Sequence, residues 1–155
     1  MTAAQPLTTQ LLFTLTGTVG EPSEIGALSE GRRRIIPITG GTFEGPRIRG
    51  QVLPFGADWM RVRPDGVATI DVRATLQTDD DALVYMRYSG YRHGPANVMQ
   101  ALADGEDVDP ASYYFRIAVT LETGAEQYSW LIQIVAVGTG RRIPAGPIYD
   151  IYEVL

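Results

Sequence analysis

Val67–Gln77 alternates cleanly between two faces, and this restricts the fold more than any other stretch. Ala68, Ile70, Val72, Ala74 and Leu76 share one side; Thr69, Asp71, Arg73, Thr75 and Gln77 share the other. A period of two is the geometry of a half-buried β-strand, not of a helix. Pro64-Asp65-Gly66 precedes it as a turn, since Pro presets φ and Gly accepts the left-handed position. Asp79-Asp80-Asp81 marks the next turn. Similar extended runs recur at Leu7–Thr18, Ile35–Thr39, Arg47–Leu53, Trp59–Arg63, Ala82–Tyr91, Ser112–Glu122, Gln127–Val137 and Ile143–Val154. Gly20-Glu21-Pro22-Ser23, Pro54-Phe55-Gly56 and Thr123-Gly124-Ala125-Glu126 read as breaks, and Gly138-Thr139-Gly140 as a hairpin turn. Glu24–Ser29 reads as a loop. Only Gly94–Asp107 is helical, with Pro95 suited to the first position and Val98, Met99 and Leu102 at helical spacing. The expectation is an all-β chain of about eight to ten strands with one short helix. A meander of that length removes its own edges by closing into an antiparallel barrel.

The chain has 155 residues, so one domain over 1–155 with a real core is expected. Hydrophobic residues make up 45% and charged residues 20%, the balance of a soluble globule. A net charge of -5 argues against a nucleic-acid partner, which rewards clustered cations. All thirteen basic residues are Arg, so lysine Schiff-base chemistry is excluded. There is no Cys, hence no disulfide, thiolate ligand or Cys nucleophile. MTAAQPLTTQ carries no secretory pattern, and no apolar run approaches the ~18 residues of a membrane helix. A cytoplasmic bacterial protein without a membrane partner is expected.

Ile38–Trp59 is the glycine-rich centre. Gly40-Gly41 allows positive φ or close approach of another strand, and Gly50 points to a bulge or tight bend. Asp58 then stands beside Trp59. Two readings stand for the pair: a general base shielded by a ring, or a turn cap beside a core residue. Several other strands mix charge with aromatics on one face. Asp71 goes with Arg73, Tyr114 with Arg116 and Glu122, and Tyr85 with Arg87 and Tyr91. Converging, such faces line a polar cavity; pointing outward, they form a wet surface with weak ion pairs. Arg73 and Arg116 are candidates to hold a carboxylate or an enolate, and Trp130 to form a pocket wall. The lone His93 has no companions for a metal site, and Asp79–Asp81 lacks the spaced ligands of a calcium loop. No metal or cofactor is expected. Serine-hydrolase elbows, P-loops and dinucleotide fingerprints are absent from the sequence.

Four segments carry a family resemblance: GRRRIIPITGGTFEGPRIRGQVLPFGADW, RPDGVATIDVRATLQTDDDALVYMRYSG, YYFRIAVTLETGAEQYSWLIQIVAVGTG and IYDIYEV. From about Leu11 to Glu153 the chain resembles the DUF3237 family, also called UPF0311. Where the family pattern reads Asp-x-Arg-Tyr-x-Leu, Ala74 replaces the Tyr. Where the family tends to have Gly after the acidic turn pair, Asp81 stands here. The resemblance implies an up-and-down barrel similar to calycin barrels. It also implies kinship with proteins acting on small polyketide-like or aromatic molecules.

The leading expectation is a cofactor-independent isomerase or cyclase acting on a small aromatic or polyketide-like carbonyl compound. One carboxylate, Asp58 as first candidate or Glu122 as second, moves a proton; Arg73 and Arg116 hold the oxyanion; Tyr85 donates a hydrogen bond. Trp59 and Trp130 sandwich a flat ligand, and Tyr114 completes the binding set. The rivals are a non-catalytic small-ligand carrier of lipocalin-like type and an interaction domain without a pocket. Apolar residues on both faces of several strands point to a homodimer.

Overall fold

A computed structural model describes residues 1–155 and shows nine strands. They are β1 Thr9–Val19, β2 Ser23–Leu28, β3 Gly31–Glu44, β4 Arg49–Val62, β5 Ala68–Thr78, β6 Leu83–His93, β7 Tyr114–Glu122, β8 Val135–Ile143 and β9 Gly146–Val154. Helix α1 spans Ala96–Ala103 between β6 and β7. All neighbouring strands are antiparallel, in the order β1-β9-β8-β7-β6-β5-β4-β3-β2. An additional β1–β3 pairing closes eight of them into a barrel and leaves β2 outside as the hairpin partner of β3. Closure removes the exposed edges that an open meander would leave.

Gly41 makes that closure sterically possible. It lies opposite Gly17 with φ 139°, and a Cβ there would stand 2.2 Å from the Thr16 carbonyl oxygen. No L-side chain fits so close an approach.

The inward face follows the alternation. Ala68, Ile70, Val72, Ala74 and Leu76 are all buried, as are Phe115, Ile117, Val119 and Leu121 on β7. These join a continuous core of 26 buried side chains, anchored by the edge-to-face pair Phe13–Phe43 at 5.3 Å. An eight-stranded barrel is just wide enough for side chains to fill. Most of this one is filled.

Several local expectations are corrected. Ser23–Leu28 is a strand, since its backbone pairs with Gly31–Ile35. Pro54-Phe55-Gly56 does not turn the chain; β4 runs through it, with a register shift between Val52 and Gly56. Pro is tolerated there because a bulge needs no ladder N–H from it. Glu126–Gln133 forms 3₁₀ turns rather than a strand. Its Leu131 enters the core and the Tyr128 hydroxyl donates to Asp80 Oδ1 at 2.8 Å. That packing outweighs the apparent alternation. Gly138-Thr139-Gly140 lies inside β8, and the β8–β9 turn falls at Pro144-Ala145. A Cβ on Gly140 would meet the Phe115 ring at 2.7 Å, so glycine here makes room for a core ring.

Candidate functional site

The inward face of β4 places Asp58 between Ile36 of β3 and Val72 of β5. There it lines a cavity with Ala74, Met86, Tyr88, Arg92, Arg142 and Tyr149 among its neighbours. Of the 18 lining residues 12 are hydrophobic, so the few polar groups are individually significant. The cavity is narrow: about 40 Å³ is open to the centre of a water molecule. That accommodates ordered water or the slim end of a flat ligand.

Asp58 Oδ1 accepts a hydrogen bond from the Asp71 backbone N–H at 3.1 Å. None of the molecule's six ion pairs includes Asp58, Arg92 or Arg142. Burial pushes the Asp58 carboxyl up to about 6, against the opposing pull of the Asp71 N–H, Arg92 and Arg142. The negative charge of Asp71 adds to the rise. Desolvation outweighs the attraction of two guanidiniums because neither forms a contact pair with the carboxylate.

Two phenols complete the wall. Tyr88 and Tyr149 pack edge to face at 5.0 Å, and Tyr149 meets Phe115 at 5.4 Å. Burial first, and the nearby Asp58 charge as well, push both phenols above the ordinary tyrosine value. They stay protonated and able to donate. Arg92, from β6, lies 5.4 Å from the Phe115 ring centre, and its Nη2 donates weakly to the Met60 sulfur at 3.7 Å. Burial and the charge of Arg142 both lower its pKa, yet a guanidinium remains cationic in water. Arg142 is held through its backbone N–H, which donates to the Tyr113 hydroxyl at 3.1 Å. A carboxyl titrating near neutrality, two phenols and two guanidiniums can move a proton and stabilise an oxyanion. No group of three or more His, Asp or Glu side chains is placed to hold a metal ion.

Of the eight residues singled out in the sequence, Asp58 alone lines this cavity. The expected convergence of the other seven does not occur, because their strand phase turns them outward or their segment lies elsewhere. Arg73 lies outside, its guanidinium 5.3 Å from the Trp59 ring. Tyr85 and Glu122 face each other across β6 and β7 on the outer wall. Arg116 lies 5.4 Å from the Tyr114 ring, which itself stacks on His93 at 4.9 Å. Trp130 sits on the 3₁₀ segment under Arg47, 3.8 Å away.

Tyr88, Arg92, Arg142 and Tyr149 escaped the sequence reading, although a signal existed. Tyr88 and Arg92 continue the phase of Val84 and Met86, the apolar face of β6. Polar groups interrupting an apolar face, rather than polar faces, mark the interior of this barrel.

The profile of DUF3237, described as a protein of unknown function, matches residues 7–154. The UPF0311 protein RPA1785 of Rhodopseudomonas palustris is 41% identical over 149 residues, covering 96% of this chain and 97% of that protein. Its crystal structure superposes with a TM-score of 0.95, covering 98% of this chain and 100% of that one. A β-barrel-like protein from Acinetobacter baumannii is 45% identical, with a TM-score of 0.86 and full coverage of both chains. An enzyme from Penicillium herquei shares the fold at 21% identity, with a TM-score of 0.77 over 100% of this chain and 99% of that one. No helix here is long and apolar enough to cross a membrane. The chain belongs to the DUF3237 family, also called UPF0311.

Proposed function

We propose that the barrel interior binds a small carbonyl compound and isomerises or cyclises it by proton transfer, without a cofactor. The observation that carries this is Asp58: an inward carboxyl without an ion-pair partner, raised to about 6 by burial, among phenols and guanidiniums. At neutral pH it is largely ionised and accepts a proton from the carbon beside the carbonyl. The carbonyl becomes an enolate, whose oxygen takes hydrogen bonds from Tyr88, Tyr149 or Arg92. Asp58 then returns the proton to another atom of the same molecule, so the net change is a rearrangement. The shared fold with an enzyme is compatible with this but supplies no chemistry of its own.

The mostly apolar lining and the narrow cavity also favour a second reading, a carrier that binds without turnover. One experiment separates the two. Acetophenone and 1-tetralone are incubated with the protein in deuterated water, and exchange at the carbon beside the carbonyl is followed by NMR. The catalytic reading predicts exchange above background, reduced ~10²–10⁴-fold in Asp58→Asn. Ligand-induced shifts without exchange would favour the carrier. Equal exchange by Asp58→Asn would remove Asp58 from the role.

A further inference from the structure

Arg92 and Arg142 belong to two cavities at once. On one side lies the Asp58 cavity. On the other, beneath α1, lies a roomier space walled by Arg34, Met60, Met99 and Leu102, with about 380 Å³ open to water. Three guanidiniums therefore face this end of the barrel. Arg34 pairs with Glu24, Nη2 lying 2.8 Å from Oε1, although Arg32 shares that carboxylate at 3.7 Å. Arg92 and Arg142 pair with no carboxylate, and the Arg142 side chain makes no hydrogen bond. The Arg92 guanidinium has only the Met60 sulfur as a hydrogen-bond partner.

Like charges held together and partly withdrawn from water repel strongly unless an anion joins them. Asp58 does not fill that role, since it forms an ion pair with neither. The remaining positive charge sits inside a chain of net charge -5, so it is a local feature rather than an average one. Low-dielectric walls focus its field into the two cavities that Arg92 and Arg142 share.

Resting on the proton-transfer reading of Asp58, we propose that the ligand is an organic monocarboxylate taken up beneath α1. Its carboxylate lies between Arg92 and Arg142, and its apolar, carbonyl-bearing body reaches toward Asp58, Tyr88 and Tyr149. Repulsion from Asp58 sets this direction. A planar carboxylate suits guanidinium forks, and Arg92, Arg142 and an ionised Asp58 together carry a net charge of about +1, which a monocarboxylate matches and a phosphate dianion exceeds.

Thermal shift tests this with benzoate and hexanoate, each set against its own amide, and with inorganic phosphate. The acids should raise Tm saturably and the amides should not. Arg142→Gln should weaken apparent benzoate affinity at least about tenfold, while the outward Arg87→Gln leaves it unchanged. Asp58→Asn should retain or tighten binding, because it removes a neighbouring negative charge. Equal shifts by acid and amide would overturn the proposal, and those wild-type data stand even if Arg142→Gln folds poorly. So would the absence of any shift with the acids, a response to phosphate alone, or undiminished benzoate binding by a folded Arg142→Gln. Acid-selective binding in a protein that exchanges no proton would end the Asp58 reading and leave this one standing. Exchange of neutral ketones without acid selectivity would do the reverse.

Discussion

The outer wall and the interior of this barrel treat charge in opposite ways. Away from the Asp58 cavity, arginines and carboxylates meet in six ion pairs, such as Arg49–Asp79 at 3.0 Å and Arg141–Asp150 at 2.6 Å. Inside, Asp58, Arg92 and Arg142 share a cavity and form no ion pair. Exposed pairs are held by geometry and screened by water, so each is worth little. Inward charges without partners are costly, and a chain that keeps them has them available for a ligand. The difference between surface and site lies in pairing, not in the number of charged residues.

Substitutions on one strand test whether the two faces differ as described. Leu76 is fully buried and its neighbour Gln77 faces outward. Leu76→Ala should cost about 2–5 kcal/mol in urea unfolding, from lost burial and the cavity left behind. Gln77→Ala should stay within about 0.5 kcal/mol. Comparable losses at both positions would break the inside–outside assignment.

The next effect is a pH dependence of opposite sign to that of an ordinary paired carboxylate. Folded Asp58 titrates at about 6, against an ordinary value of 3.8. Between those values the folded state holds a proton that the unfolded state has released. The contribution of Asp58 is therefore fully present below pH 3.8 and is lost as pH rises through about 6. Its full swing is about 3 kcal/mol at most. Subtracting the unfolding free energies of Asp58→Asn from those of the wild type, pH by pH, isolates it. A difference that is flat, or that rises with pH, would contradict the burial argument.

Two smaller effects sharpen the description of the outer wall. Asp81 alone among non-glycine residues has positive φ, 67°, in the β5–β6 turn. Asp81→Gly should stabilise by up to about 1 kcal/mol, because glycine takes that conformation without strain. Asp79→Asn, in the same turn, breaks the exposed pair with Arg49 of β4 and should cost no more than about 1 kcal/mol. If the order of the two were inverted and the ion pair cost several kcal/mol, surface pairing would matter more than argued.

Much of the fold was readable from the residues. Clean alternation separated the two faces of β5, of which the structure buries the apolar one, and Pro64-Asp65-Gly66 marked a real turn. There the Gly66 N–H reaches the Arg63 carbonyl at 2.9 Å, and Gly66 has φ 87°. Both permissive roles suggested for Gly40-Gly41 occur at Gly41. The errors arose where tertiary packing overrode local pattern. Glycines 138 and 140 serve Ile117 and Phe115 rather than a turn, and Glu126–Gln133 coils to insert Leu131 into the core. The site was less legible than the fold. Mid-strand charge drew the reading to Arg73, Arg116 and Glu122, which lie on the wet face of their strands. Asp58 was identifiable because it stands beside Trp59 at the end of the glycine-rich segment, whereas Arg142 on β8 and Tyr149 on β9 meet it only once the β1–β3 pairing closes the barrel.

The carboxyl of Asp58 is the centre of this account, and its titration can be observed directly. Carbon-detected NMR of labelled protein, assigned with Asp58→Asn, would follow that one group from pH 3 to 8. A midpoint near 6 is the predicted result and would establish a group able to take and return a proton near neutrality. A midpoint near 3.8 would show a solvated carboxylate, and one below it a tightly paired carboxylate; either would contradict both the burial argument and the proposed chemistry.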